Sequence, residues 1–296
     1  MTFAEGQFIS EYQLSYKNLG NRDYIFQRTS DGLVTDAKFF DMLPEVKTVE
    51  NRGAVHNFRP NKSWEQQAEK FLTLSSGKGF KVLCGDFESG ELNKQAAIDF
   101  WCFLRRLEEQ KPNKKVIFYT TIYKLRDNLN KYNGVETLYG PIDWEHFDCW
   151  IAQYPISTNP DGTTNLHVDP QTASPYLSIS GVVVREKPQK FWQYWADGNQ
   201  QGSKYGCGSR DTNLDIFNGT VVECKEFFTV NEEPVDPPDP GDPPDDDCCE
   251  EIAFQIKTNS TDINAAFNEI YKLEKRIKIL EDSYLPWWKR LFRATN

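Results

Sequence analysis

The chain has 296 residues, 39% of them hydrophobic and 14% aromatic, which suffices for one large domain of about 200–250 residues plus an appendage. No run approaches 18 consecutive apolar residues, so no transmembrane helix is expected, and the opening MTFAEGQFIS lacks the basic-then-apolar pattern of a secretory signal, so synthesis in the cytoplasm is expected. The formal net charge of −10 is local: ten of the 44 acids fall between residues 231 and 251, a stretch without Lys or Arg, and the remaining 34 acids balance the 34 bases, which speaks against a nucleic-acid-binding protein.

In chain order, residues 8–13 (FISEYQ) and 24–28 (YIFQR) read as short strands, and TSDGLVTD at 29–36 is turn-rich, following the second strand. AVHNF at 54–58 is a third strand. Ser63 with Gln66 then forms a capping-box pattern that opens a helix with Trp64, Ala68, Phe71 and Leu72 on one face. KVLCGDFESG at 81–90 is a buried strand that turns abruptly into two carboxylates. Side chains alternate along a strand, so Asp86 and Glu88 share a side, with backbones about 6.6 Å apart, while Phe87 points the other way. Two acids that close are expected to titrate as a coupled pair, one driven towards proton donation near neutral pH and the other left ionised, as in a glycosidase. A D-x-E triplet by itself is more often a solvated strand end, so the neighbouring segments decide.

A helix is expected over residues 93–109, with Ala96, Phe100, Phe103, Leu104 and Leu107 as its apolar stripe, then a buried strand at 116–119 (VIFY), a short helix at 123–132 and a strand at 149–154 (CWIAQY). Such alternation implies parallel strands with helices outside. For this length it predicts an α/β fold, a TIM-like (β/α) barrel with the chemistry at the carboxyl ends of its strands, where Asp86, Glu88, Tyr119 and Tyr154 fall. From residue 155 to 188 the helical period disappears, FWQYW at 191–195 is a late strand and SRDTNLDIFNGT at 209–220 closes the domain. The barrel is therefore expected to be irregular, with an incomplete set of helices.

Seven Cys without C-x-x-C spacing argue against a zinc site or a disulfide framework, and most are expected to be reduced core thiols. Only three His are present, and neither a metal nor a cofactor is expected.

These segments together resemble the glycoside hydrolase family 25 muramidases, the lysozymes of bacteriophages and their hosts. The resemblance covers roughly residues 7–220 and is carried by GDFES with its D-x-E pair, IFYTT at 117–121, WIAQYP at 150–155, WQYW at 192–195, and DTN with FNGT at 211–220. It implies cleavage of the β-1,4 bond between N-acetylmuramic acid and N-acetylglucosamine in peptidoglycan. By position in the motif, Glu88 is similar to the general acid and Asp86 to the carboxylate that stabilises charge at the sugar ring. Asp211 matches the late active-site Asp, with Asp215 as the fallback. Tyr119, Tyr154, Trp192 and Gln193 would line the sugar cleft, and Tyr12 would bind substrate, with plain core packing the competing role for each aromatic. One departure stands out: the family begins D-V-S-x-Y-Q, and here Phe8 replaces the acid. His56 is read as a buried structural residue.

Three segments are expected: a barrel over 1–230, an acidic Pro-rich linker over 231–250 that is extended and self-repelling, and a helical attachment segment over 251–296. Within the last, Ile263, Phe267, Ile270, Leu273, Ile277, Leu280 and Tyr284 recur in steps of four and three, a coiled-coil seam that would oligomerise or dock. Cys248 and Cys249 stand just before it. The Trp-rich end, YLPWWKRLFRATN, is short for a membrane anchor and ranks below a partner-binding cap. No wall-binding repeats follow the barrel, which favours a lysin tethered to a virion or tail assembly and acting at the bacterial cell wall. The rival expectation, motivated by Phe8, is a catalytically impaired domain kept for glycan binding or structure.

Overall fold

Apolar runs separated by turn chemistry become the staves of a barrel. A computed structural model of the chain describes residues 2–13, 19–88, 90, 93–158, 164–166, 169–173, 178–179, 182–196, 202–208 and 212–229. The first stave, β1, spans Phe3–Ile9 rather than 8–13. Residues 10–13 instead close a turn in which Gln13 N donates to Ser10 O, because the Ser10 hydroxyl and amide are both taken by the Gln13 side chain. β2 (Tyr24–Asp31) runs past the expected end at Arg28, then folds back through Gly32, whose φ of +54° suits a residue without a Cβ, into the short β3 (Val34–Thr35). The helix α1 (Phe39–Val46), hidden in the sequence by Pro44, buries Phe39, Met42, Leu43 and Val46.

The next units follow the expected rhythm: β4 (Arg52–Asn57), α2 (Trp64–Ser75), β5 (Val82–Asp86), α3 (Lys94–Gln110) and β6 (Lys115–Thr121). Ser63 caps α2 by accepting from Gln66 N, and Asn93 caps α3 by accepting from Ala96 N. After β6 a helical turn, α4 (Ile122–Lys124), continues in irregular helix to Tyr132 and leads to β7 (Asp148–Ala152). Helical crossovers then give way to the hairpin β8 (Ile156–Thr158) with β9 (Thr164–Leu166), and to β10 (Ser178–Ile179) with β11 (Val182–Val183). Two last staves follow, β12 (Phe191–Trp195) and β13 (Asn213–Thr220). A short α5 (Val221–Phe227), opened by a capping box between Thr220 and Glu223, completes the described chain.

Eight strands close on themselves in the order β1, β2, β4, β5, β6, β7, β12, β13. The pairings from β1 round to β12 are parallel, and β13 joins β12 and β1 antiparallel. This is the irregular α/β barrel expected, with helices over only part of its circumference.

Alternation sorts each stave into two faces. Outward residues such as Leu83, Phe118 and Ile151 pack with Phe71, Phe100 and Phe103 of the helices. Inward residues Phe26, Val55, Cys84, Ile117, Trp150, Phe191 and Phe217 fill the barrel, and Phe227 and Phe228 close it beneath. His56 faces outward, fully buried between Ser30 (Oγ to Nδ1, 2.8 Å) and Gln67 (Oε1 to Nε2, 3.2 Å), and burial lowers its pKa to about 4, so it is a neutral structural residue at neutral pH. Cys84, Cys102, Cys149, Cys207 and Cys224 are buried and in no disulfide. The expected linker, seam helix, Cys248 and Cys249 lie outside the described residues. Among those described, no helix is long and apolar enough to cross a membrane.

Candidate active site

The floor of the site is aromatic because large inward side chains alternate with polar ones at the upper ends of the staves. Phe8 of β1, Tyr119 of β6 and Trp150 of β7 meet inside the barrel, with Phe8 5.5 Å from the Trp150 ring and 6.3 Å from Tyr119. Above and around them the staves present Arg28, Asn57, Asp86, Gln193 and Asp215, each buried. In the register Asp86 pairs with Asn57 on one side and Tyr119 on the other, and Gln193 pairs with both Ala152 and Asp215.

Asp86 ends β5 at 4% exposure, and its Oδ1 has no hydrogen-bond partner among the described residues. Burial and the nearby Glu88 carboxylate push its pKa well above the usual carboxylate range, against the positive charges of Arg28 and Arg59. Glu88, half-buried just beyond the strand, is also raised by burial, while the Tyr119 hydroxyl and the Lys124 ammonium hold it down. The two acids expected from the D-x-E pattern are therefore brought together at the barrel mouth, both with raised proton affinity. They titrate as a pair and retain a proton closer to neutral pH than isolated carboxyls would.

A third carboxyl, Asp215, stands on β13 across the barrel. Trp150 Nε1 donates to its Oδ1 at 3.0 Å, its Oδ2 is buried without a partner among the described residues, and desolvation raises its pKa strongly, with the Trp150 and Gln193 side chains opposing. Its signal in the sequence is an acid inside an apolar run, Leu214-Asp215-Ile216, whose alternation turns Asp215 inward. Asp211 lies outside the described residues.

Gln193 Oε1 accepts from Tyr119 Oη at 2.9 Å and Tyr154 Oη at 2.5 Å, which ties three of the expected cleft residues into one cluster beside the acids. Tyr154 is 38% exposed and presents its ring to solvent at the rim. Tyr12 is exposed and lies over the Arg28 guanidinium, 5.0 Å from its centre. Trp192 is placed differently from the expected cleft position. It leaves β12 on the face opposite Gln193, is 2% exposed, packs with Tyr194, Trp195, Leu214 and Ile216, and donates from Nε1 to Gln153 O at 2.8 Å. Its position is that of a packing residue on the barrel's outer wall.

Charges that sequence reasoning missed complete the mouth. Arg28 is bound by Asp36 and Glu11, each at 2.7 Å, and Arg59 is paired with Asp31. For Arg28 and Asp31 the sign in the sequence is polar residues persisting in the strand run YIFQRTSD. A cavity of about 520 Å³ lined by Arg59, Pro60, Asn61, Gly90 and Asn93 opens between the segments that follow β4 and β5. Among the described residues no group of three His, Cys, Asp or Glu is placed to hold a metal ion.

Among solved structures the chain is similar to a family 25 glycosyl hydrolase from Bacillus anthracis, with a TM-score of 0.56 and 19% identity over 77% of this chain and 94% of that one. The chain has the fold of the family 25 glycosyl hydrolases. That fold is shared with the bacterial lysozyme from Streptomyces coelicolor (TM-score 0.54, 20% identity, 77% of this chain and 97% of that one) and with the CTP1L endolysin (0.52, 18%, 76% and 70%). At these identities the likeness is one of fold. No protein-family model and no curated protein matches the sequence. Within the family 25 fold, the acids identified from the sequence occupy the carboxyl end of β5, the end at which barrel enzymes carry their chemistry.

Proposed function

We propose that the chain is a muramidase that hydrolyses the β-1,4 bond between N-acetylmuramic acid and N-acetylglucosamine in peptidoglycan. The observation that carries this reading is the coupled, desolvated pair Asp86 and Glu88 at the mouth of a family 25 barrel. Glu88, the more exposed of the two, protonates the leaving oxygen. Asp86, ionised, stabilises the positive charge that develops at the sugar ring, through the substrate's acetamido group or through an oriented water. Burial and the Glu88 carboxylate together outweigh the nearby cations and hold the proton affinity of Asp86 high. The Arg28 and Arg59 charges oppose that and favour the ionised Asp86 this role needs. Asp215, in place of Asp211 or together with it, adds a further carboxyl to the site. Tyr119, Gln193 and Tyr154 supply ring faces and hydrogen bonds for pyranose binding, with Tyr12 at the rim.

The structural neighbours named lysozyme and endolysin support a cell-wall substrate. The apolar seam at 263–284 supports attachment of the enzyme, through residues 251–296, to an oligomer or to a virion or tail assembly that delivers it to the wall. Measuring reducing sugar released from purified peptidoglycan by the wild type and by Glu88→Gln tests the chemistry. Release by the wild type, lowered about a hundredfold or more in Glu88→Gln, is the expected result. A second reading, a glycan-binding domain without hydrolysis, is favoured by Phe8, whose ring fills the barrel interior where the family pattern has an acid. Equal, near-zero release from both proteins with retained glycan binding would establish it.

A further inference from the structure

The segment that carries Glu88 leaves β5 and is fastened to β6. Phe87 N donates to Tyr119 O at 2.9 Å, and Thr120 Oγ1 donates to Phe87 O at 2.9 Å. The next residue, Glu88, presents its carbonyl oxygen to the Lys124 ammonium, which donates to it. Lys124 can reach because Thr121 ends β6 and caps the following turn, its Oγ1 accepting from Lys124 N at 3.2 Å, so the lysine rises from a fixed helical turn rather than from a loose loop. We propose that Lys124 is a positioning residue of this site, its ammonium holding the Glu88 main chain against β6 and setting a positive charge beside the acid. The inference rests on the muramidase reading for its consequence in catalysis, while the contact itself does not depend on it.

Among the described residues, the charged and titratable groups around Glu88 are Asp86 of β5, Tyr119 of β6, Lys124 of α4 and Tyr154 after β7. Of these Lys124 is the cation, and it works against the burial that raises Glu88. A general acid must carry its proton, so the alkaline limb of the pH–rate profile reports the donor's titration. Removing the Lys124 charge lets the acid keep its proton to higher pH.

The test uses the full chain. pH–rate profiles on purified peptidoglycan are recorded for wild type, Lys124→Met and Lys124→Arg, and Glu88 is titrated by carboxyl-carbon NMR, its resonance assigned by its loss in Glu88→Gln. In Lys124→Met the alkaline limb and the NMR titration both move to higher pH, and kcat falls about tenfold or more with KM within about twofold, because a donor freed from its anchor is misplaced. Lys124→Arg, which keeps the charge, leaves the limb near that of wild type. A limb and titration that superimpose on wild type overturn the proposal, even with reduced kcat, because the lysine would then be merely structural. Should Lys124→Met fail to fold, the wild-type ammonium nitrogen resonance of Lys124 carries the test. An inflection at the titration of Glu88 that disappears in Glu88→Gln supports the contact, and a flat response overturns it. If the wild type releases no sugar, the hydrolase reading fails, and the NMR arm still decides the role of Lys124.

Discussion

At the scale of single residues, the site is a set of carboxyls whose proton affinities are raised by removal from water. Asp215 shows the consequence for stability. A carboxyl with a higher pKa in the folded than in the unfolded state takes up protons on folding, so its folded state is most favoured below the unfolded value of about 3.9 and loses stability as pH rises from there towards the folded value. Asn in its place cannot titrate and still offers an oxygen to Trp150 Nε1. Asp215→Asn is therefore expected to raise the melting temperature at pH 7 by about 3 °C, the order of ~1 kcal/mol for a chain this size, with the gain gone near pH 3. Thermal unfolding at the two pH values checks it, and a gain that persists at pH 3 would show that the carboxyl is not the cause. The same substitution should lower hydrolysis if Asp215 serves the reaction, the stability–activity exchange usual for a desolvated site.

At the scale of elements, the position of the acids depends on how closely helix α3 approaches strand β5. Gly85, next to Asp86, is where the approach is tightest: a Cβ there would lie 2.8 Å from Leu104 Cδ2, 2.9 Å from Phe100 Cε2 and 3.0 Å from Phe103 Cε1. These atoms are the ends of packed core side chains, so these side chains or the helix that carries them must shift. Gly85→Ala is expected to cost about 1–3 kcal/mol, read as a lower urea midpoint with an unchanged slope. Because the shift is passed to Asp86 and Glu88, activity should fall more than the loss of folded protein explains. The expected stripe of α3 contains Phe100, Phe103 and Leu104, so the helix was legible from its period. The need for a glycine facing it was not, since nothing in a linear pattern says which face of β5 the helix covers.

At the scale of the whole molecule, the eight strands that close the barrel all lie between residues 3 and 220. One compact unit ends at Glu233, after Phe227 and Phe228 have sealed the lower end against Tyr24, Phe26 and Phe191. A chain ending at residue 233 is expected to keep its fold and its release of reducing sugar within about twofold, and to be monomeric where the full chain is not. Size-exclusion chromatography with light scattering, alongside the peptidoglycan assay, measures both. A full chain that is itself monomeric would remove the proposed seam, and a truncated chain that unfolds would show that the later residues serve the barrel.

What could be read without coordinates was what depends on short range: the strand runs, the stripes of α2 and α3, the D-x-E pair at the end of β5, and the break in helical rhythm after β7. Each is written in a period of two or of 3.6 residues, because backbone geometry forces side chains to alternate locally. The boundaries of β1, the outward turn of Trp192, and the meeting of Asp215, Trp150, Gln193 and Tyr119 belong to long range. Residues 65 and 74 positions apart in the chain come within hydrogen-bond distance only because eight strands close on themselves. Closure decides which alternating face is the inside, and therefore which acids lose their water.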